Sequence, residues 1–524
     1  LGDYAYPIQT KHGFQSGSAL VELKKNKVVV AAGDPKSIDA LRAACAVILM
    51  LNGCGGSGSG SGNSPPIQPS PTPTQTATTT PTLSVTVQTY ERQPAVAYPA
   101  VITSEVTSLT SETVSVEAPS SITEYSQLSL AKAGYQPTWY PYTQQDKSAI
   151  QLGLYKATNI NKQSNFVKAI IPTDAGGWLM DYYKGGYFPT TIDRIKSIGG
   201  NNVVYADSAI IKAMDLNAKT VTLYGKYFPP DQVIYEMGNL AKARGIEFTF
   251  MMGIYPGDTL GNDTWTVPKF YSAIGTLSDN DAFWDAWFDA YKAILIERAA
   301  LAQKAGATRF VIGFNLDFMT NKGNQRWAEL IQAVKSAGFT GKISYFAGTN
   351  GAYNGFTSIG DSAKRASFIR LFDEIGLNFY NPVIPANGET LASSQPLTRI
   401  ASSLKTQIAT VSSYNVPLFV LIGTPSVHGG ATSSDYIESA YTCEMLKDQV
   451  RDYQTQADVY QAAAEIVNQQ NSGSAVIKGI FSWGYHFIDN PRKHLTTGDS
   501  CYDFSASIRN KPAEAVLSYW FKGW

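Results

Sequence analysis

Histidine and cysteine are scarce in this 524-residue chain, at four each. No two of Cys45, Cys54, Cys443 and Cys501 stand at a zinc-ligand spacing, so no metal site is expected. Charge of one sign is missing too. Lys and Arg number 42 and Asp and Glu 42, so the formal net charge is +0 and no basic field exists to hold nucleic acid. The patterns G-x-x-x-x-G-K-[ST], H-E-x-x-H and G-x-S-x-G do not occur, and the GSGSGSG run lies in a linker rather than before a helix. No cofactor is expected. What the chain has instead is rings: 30 Tyr, 23 Phe and 9 Trp against only 16% charged residues. Such a surface suits neutral polar ligands such as sugars, whose C–H faces stack on aromatic rings.

The N-terminal third is mosaic. Residues 1–40 contain the basic run VELKKNKVVV and fit poorly as a leader; one reading is an over-translated segment upstream of a start near Leu41. Residues 41–54, LRAACAVILMLNGC, join one arginine, a short apolar run and Leu51-Asn52-Gly53-Cys54, and resemble a bacterial lipoprotein signal with Cys54 as the lipidated residue. That run is too short for a bilayer span, which needs about 20 residues. Residues 55–83 are Gly/Ser- and then Pro/Thr-rich, the composition of a disordered tether. Together these imply an exported protein lipid-anchored to the membrane of a bacterial cell envelope or surface. Residues 84–160 are Val/Thr/Ser-rich, a small β-rich or extended segment whose cluster YQPTWYPYTQQ is expected to pack against the larger C-terminal domain. Export would also permit a disulfide between Cys443 and Cys501, the alternative being two unrelated thiols.

Within residues 161–524 a short apolar run gives way to a helix-spaced stretch eight times. The runs are FVKAIIPT, NNVVYAD, IEFTFMMG, RFVIGFNLD, KISYFAG, EIGLNFYNP, PLFVLIG and IKGIFSWGY. They are continuous rather than alternating, as parallel strands buried on both faces require. In the longest intervening stretch Phe283, Trp287, Tyr291, Ile294 and Leu295 fall on one helical face. Gly199, Gly245, Gly306 and Gly338 stand where helices end. Eight strand–helix units predict an α/β protein built on a (β/α)8 TIM barrel, with any site at the C-terminal ends of its strands.

The order of these stretches, from PDQVIYEMGNLAKARGIEFTFMMGIYPGD through FVIGFNLDF, LFDEIGLNFYNPV, VPLFVLIGTPS and GIFSWGY to NKPAEAVLSYW, resembles a known superfamily. It is similar to the (β/α)8 glycoside hydrolases related to bacterial endo-β-mannanases, and to the barrel domain of gene-transfer-agent and phage tail proteins. The resemblance covers roughly two-thirds of the chain and implies two catalytic glutamates, in G-x-E after the fourth strand and F-x-E-I-G-x-x-S on the seventh. Here those positions hold Asn315 and Leu421. An amide donates no catalytic proton at neutral pH, and leucine neither attacks nor activates water. The expected protein therefore binds or processes polysaccharide with the usual pair lost.

Two rival readings stand beside it. An active glycosidase would use Asp317, brought over the mouth by a one-residue bulge or a longer strand, with Asp174, Asp207 or Asp258 as partner. A structural or receptor-binding component of a phage tail or surface assembly would use the barrel as scaffold. Asp193, Glu297 and Glu329 fall inside helices and are expected on the surface. The expected ligand-binding set at the strand ends is Trp178, Tyr255, Tyr345, Asn350, Tyr380, Asn381, His428, Trp483 and Tyr485, with His486 and Asp489 beside them.

Overall fold

The computed structural model describes residues 20–24, 27–31, 82–95, 110–117, 126–142, 150–172, 186–225, 228–255, 270, 274, 280–314, 316–348, 355–380, 397–431, 450–472, 476–486 and 501–524. It divides into two units, Leu1–Thr78 and Thr79–Trp524. In the first, β1 (Leu20–Lys24) and β2 (Lys27–Ala31) form an antiparallel hairpin across the basic run. The signal-like segment with Cys45 and Cys54, and the tether up to residue 81, lie outside the described residues.

The second unit opens with β3 (Thr82–Glu91), β4 (Thr110–Glu117), β5 (Ser126–Leu130), β6 (Thr138–Tyr142) and β7 (Ile150–Leu154). β3 pairs antiparallel with β4 and parallel with β7, and β5 pairs with β6. The barrel strands follow: β8 (Val167–Ile171), β9 (Asn202–Asp215), β11 (Glu247–Tyr255), β12 (Arg309–Phe314), β13 (Lys342–Gly348), β14 (Glu374–Phe379), β15 (Leu418–Ile422) and β16 (Ile477–Trp483). They run parallel in that order, and β8 closes the ring against both β16 and β9. Each expected apolar run became one of these strands. β9 continues past its expected end and folds back as β10 (Thr220–Tyr224), an antiparallel hairpin whose turn is set by Asp215 accepting from the backbone N–H of Asn217 and Ala218.

Helices α1 (Tyr187–Ser197), α2 (Asp231–Ala243), α3 (Asp281–Lys304), α4 (Asn324–Ser336), α5 (Ser362–Ile369), α6 (Leu397–Ser412), α7 (Tyr453–Gln470) and α9 (Pro512–Gly523) follow the strands, with the single-turn α8 (Cys501–Phe504) before the last. The expected face of α3 is buried, and its N-terminus is capped by Asn280 accepting from Phe283 N–H at 3.1 Å. Gly199, Gly245, Gly306 and Gly338 have φ of +93°, +67°, +77° and +94°, the left-handed backbone that stops a helix. Among the described residues no helix is long and apolar enough to cross a membrane.

α7 is the exception to amphipathic patterning. Its polar face is buried as well as its apolar one: Gln456, Asp458, Gln461, Glu465 and Asn468 are all buried. The segment before the barrel covers its outer face and supplies partners to Asp458, Glu465 and Asn468. The Arg92 guanidinium meets the Asp458 carboxylate at 3.1 and 2.6 Å, and Tyr155 Oη donates to the same group at 2.6 Å. Ala95 N–H donates to Glu465, and Asn161 donates two hydrogen bonds to Asn468, one from its backbone N–H and one from its side chain. The aromatic cluster packs as expected, Tyr140 edge-on to Tyr453 at 5.2 Å.

Candidate functional site at the barrel mouth

Because side chains alternate along a strand, one residue in two faces the lumen. At the N-terminal end the lumen is closed by a buried ion pair between Arg309 and Glu374, Nη2 to Oε1 at 3.0 Å, with Ser344 Oγ also donating to Glu374. The Arg309 guanidinium lies over the Phe419 ring at 4.8 Å. Next come Phe346, Phe419 and Phe481 in mutual contact, with Phe346 and Phe481 4.9 Å apart. The interior is thus a packed core, as in barrels generally.

Leu421 lies in this filled lumen. It is level with Asn378 on one neighbouring strand and Phe481 on the other, is 0% exposed, and belongs to one apolar cluster with Phe314, Phe346 and Phe481. Above it the mouth is aromatic. Phe314 stacks on Trp483 with centroids 5.2 Å apart and planes inclined by 26°. Tyr380 comes alongside because the intervening position is Gly423: a Cβ there would stand 2.9 Å from Trp483 Cβ and 3.1 Å from Tyr380 Cδ1. Trp483 and Tyr380 keep part of their surface exposed; Phe314 is nearly covered.

β12 carries a bulge at Val311–Gly313, where its register slips against both β11 and β13. Beyond it, Asp317 opens a 3-10 turn (Asp317–Met319) and leans on the end of β13, its Oδ1 accepting from Gly348 N–H at 2.8 Å. Side chains at Gly348 or Gly355 would each come within 2.4 Å of that carboxylate, so both glycines leave it room. Desolvation pushes Asp317 up to about 7, with the Gly348 N–H pulling the other way. Asp207 is also raised to about 7 by burial, but it sits on the opposite face of its strand from the lumen-lining Val204 and Ala206. Its carboxylate accepts from Tyr205 Oη and from Ser208 N–H, and faces the helices rather than the mouth. No hydrogen bond joins the two carboxyls among the described residues; Asp207 is carried on β9 and Asp317 just past β12, with β11 between these strands.

Two expected ligand contacts belong elsewhere. Tyr345 is 0% exposed on the outer face of β13, its hydroxyl bonded to Thr320 and to the Leu316 carbonyl and its ring packed on Trp327, Phe368 and Phe372. Tyr485, also 0% exposed, donates to Glu514 at 2.6 Å. His486 is buried against Ser505, and burial with the Lys511 and Arg509 charges lowers it to about 3. His428 is exposed on the rim. Asp193, Glu297 and Glu329 are exposed on their helices as expected. Asp174, Trp178, Asp258, Asn315, Asn350, Asn381, Cys443 and Asp489 lie outside the described residues, as do the side chains of Tyr255 and Cys501. Residues that sequence reasoning missed are Phe314 and Gly423, both of which shape the mouth, and Asn378 in the lumen. Among the described residues no group of three His, Cys, Asp or Glu side chains is placed to hold a metal.

Residues 183–504 match the model of Glycoside Hydrolase Family 113. The chain belongs to this family. Similar solved structures include a GH113 β-1,4-mannanase in a complex, at 19% identity, covering 68% of this chain and 99% of that one with a TM-score of 0.48. The GH113 β-mannanase AaManA from Alicyclobacillus acidocaldarius, bound to ManMIm, is 17% identical over 68% of this chain and 97% of its own, also at 0.48. A comparison with curated proteins finds no match.

Proposed function

We propose that this Family 113 protein is an exported, lipid-anchored surface protein that binds polysaccharide at its barrel mouth and does not cut it. The observation that carries the reading is Leu421, sealed among Phe314, Phe346 and Phe481 where the family resemblance calls for a carboxylate. Leucine supplies no chemistry there, and its surroundings among the described residues are apolar apart from Asn378. What the mouth offers instead is the exposed parts of Trp483 and Tyr380, flat surfaces for the C–H faces of sugar rings. The resemblance to bacterial endo-β-mannanases makes β-1,4-mannan the first ligand to try. Isothermal titration with β-1,4-mannooligosaccharides tests this: binding lost in Trp483→Ala supports it, and no binding by the wild type overturns it. Anchoring through Cys54 is tested by mass spectrometry of the N-terminal peptide from cell envelopes, where an unmodified Cys54 would defeat it.

One observation favours a second reading, an active glycosidase. Asp317 stands at the rim with a value near 7, suited to a general acid. Product release that vanishes in Asp317→Asn would establish this alternative.

A further inference from the structure

We propose that Phe314 is a built-in plug of the mouth: its ring holds one face of Trp483 and confines a bound sugar chain to the rim, away from the barrel axis. The inference rests on the polysaccharide reading for the nature of the ligand, and goes beyond it in assigning the residue that sets how deep and how long a chain the mouth accepts.

The geometry is that of an occupied stacking site. The two planes are inclined by only 26° at 5.2 Å, close to the arrangement a flat ligand ring adopts on an indole. A six-membered phenyl ring and a pyranose ring have similar footprints, so the face that Phe314 covers is closed to sugar.

The plug is held from three sides. Behind it, the bulge at Val311–Gly313 changes which residues of β12 face inward, and Gly313 cannot share that role: a Cβ there would stand 2.1 Å from the Tyr345 ring. Beside it, β11 approaches so closely that a Cβ on Gly253 would stand 2.8 Å from the Phe314 carbonyl oxygen. Beneath it lies Leu421, in the same apolar cluster. Bulge and glycines fix the backbone that aims Phe314 inward, and its ring rests against Trp483 in the same apolar cluster as Leu421.

The test is titration of wild type, Phe314→Ala and Phe314→Leu with β-1,4-mannooligosaccharides of increasing length, with near-UV circular dichroism as the check on folding. Freeing the indole face is expected to tighten binding about two- to tenfold in Phe314→Ala, and affinity should keep rising for one sugar unit longer than in wild type. Phe314→Leu, which keeps apolar bulk without a flat ring, should move the same way by less, and decides the matter if the alanine variant does not fold. Unchanged or weaker binding in a folded variant, with wild type binding, overturns the plug and leaves the polysaccharide reading standing. Binding by the variant alone supports the plug and overturns polysaccharide binding as the function of the wild type. Binding by neither overturns both.

Discussion

Replacing Arg92 with leucine probes whether the segment before the barrel is part of the folding unit. The Asp458 side chain is 1% exposed and that of Arg92 15%, so the pair is largely withdrawn from water. In the variant Asp458 loses both guanidinium contacts and keeps only Tyr155 Oη at 2.6 Å and Gln454 Nε2 at 3.0 Å. Burial already holds the Asp458 carboxyl above its ordinary range against the pull of Arg92, and without that cation it rises further. Breaking a buried pair costs about 3–5 kcal/mol; the partial exposure of Arg92 and the two surviving hydrogen bonds place this one near the lower end, about 3 kcal/mol. For a unit of roughly 450 residues the unfolding entropy is about 0.9 kcal/mol/K, so Tm should fall by about 3 °C. Adding Asp458→Asn removes the stranded charge and should recover part of the loss. Differential scanning calorimetry of wild type, the single variant and the double variant reads this directly. An Arg92→Leu protein as stable as wild type, or a double variant no more stable than Arg92→Leu alone, would overturn this.

Three further outcomes are expected at the mouth and lumen. Asp317 is raised from 3.8 to about 7, so its protonated form is favoured in the folded state; the stability it adds is full below about 3.8 and is lost as pH rises through about 7. Asp317→Asn should therefore flatten the stability profile over that window and be more stable than wild type above it, as urea titrations at several pH values would show. Gly423→Ala should push Trp483 and Tyr380 apart and weaken mannooligosaccharide binding about two- to tenfold with little change in Tm, read by calorimetric titration. Leu421→Glu places an unpaired carboxyl among Phe314, Phe346 and Phe481; it should cost about 3 kcal/mol or more and release no sugar, checked by thermal melts and a reducing-sugar assay.

The barrel was legible because parallel strands buried on both faces leave unbroken apolar runs, and because Gly199, Gly245, Gly306 and Gly338 mark helix ends. The burial of α7 was not, since its polar side chains take partners such as Arg92 and Asn161 from hundreds of residues away. Nor was the direction of individual rings. Tyr345 and Phe346 are adjacent, one facing the helices and the other the lumen, and nothing local says which. The bulge in β12 shifts the alternation once more and sends Phe314 inward. Gly313 was the available signal, because a glycine inside a strand marks a bulge or a close approach. β10 was missed because the Asp215 turn sits within a stretch read as the start of the second crossover.

We propose that this mouth holds sugar chains without cleaving them. Prolonged incubation of the folded wild-type protein with β-1,4-mannan, followed by mass spectrometry of the soluble fraction, tests it most directly. The expected result is polysaccharide retained by the protein and no oligosaccharide released; release of mannooligosaccharides that Asp317→Asn abolishes would contradict it.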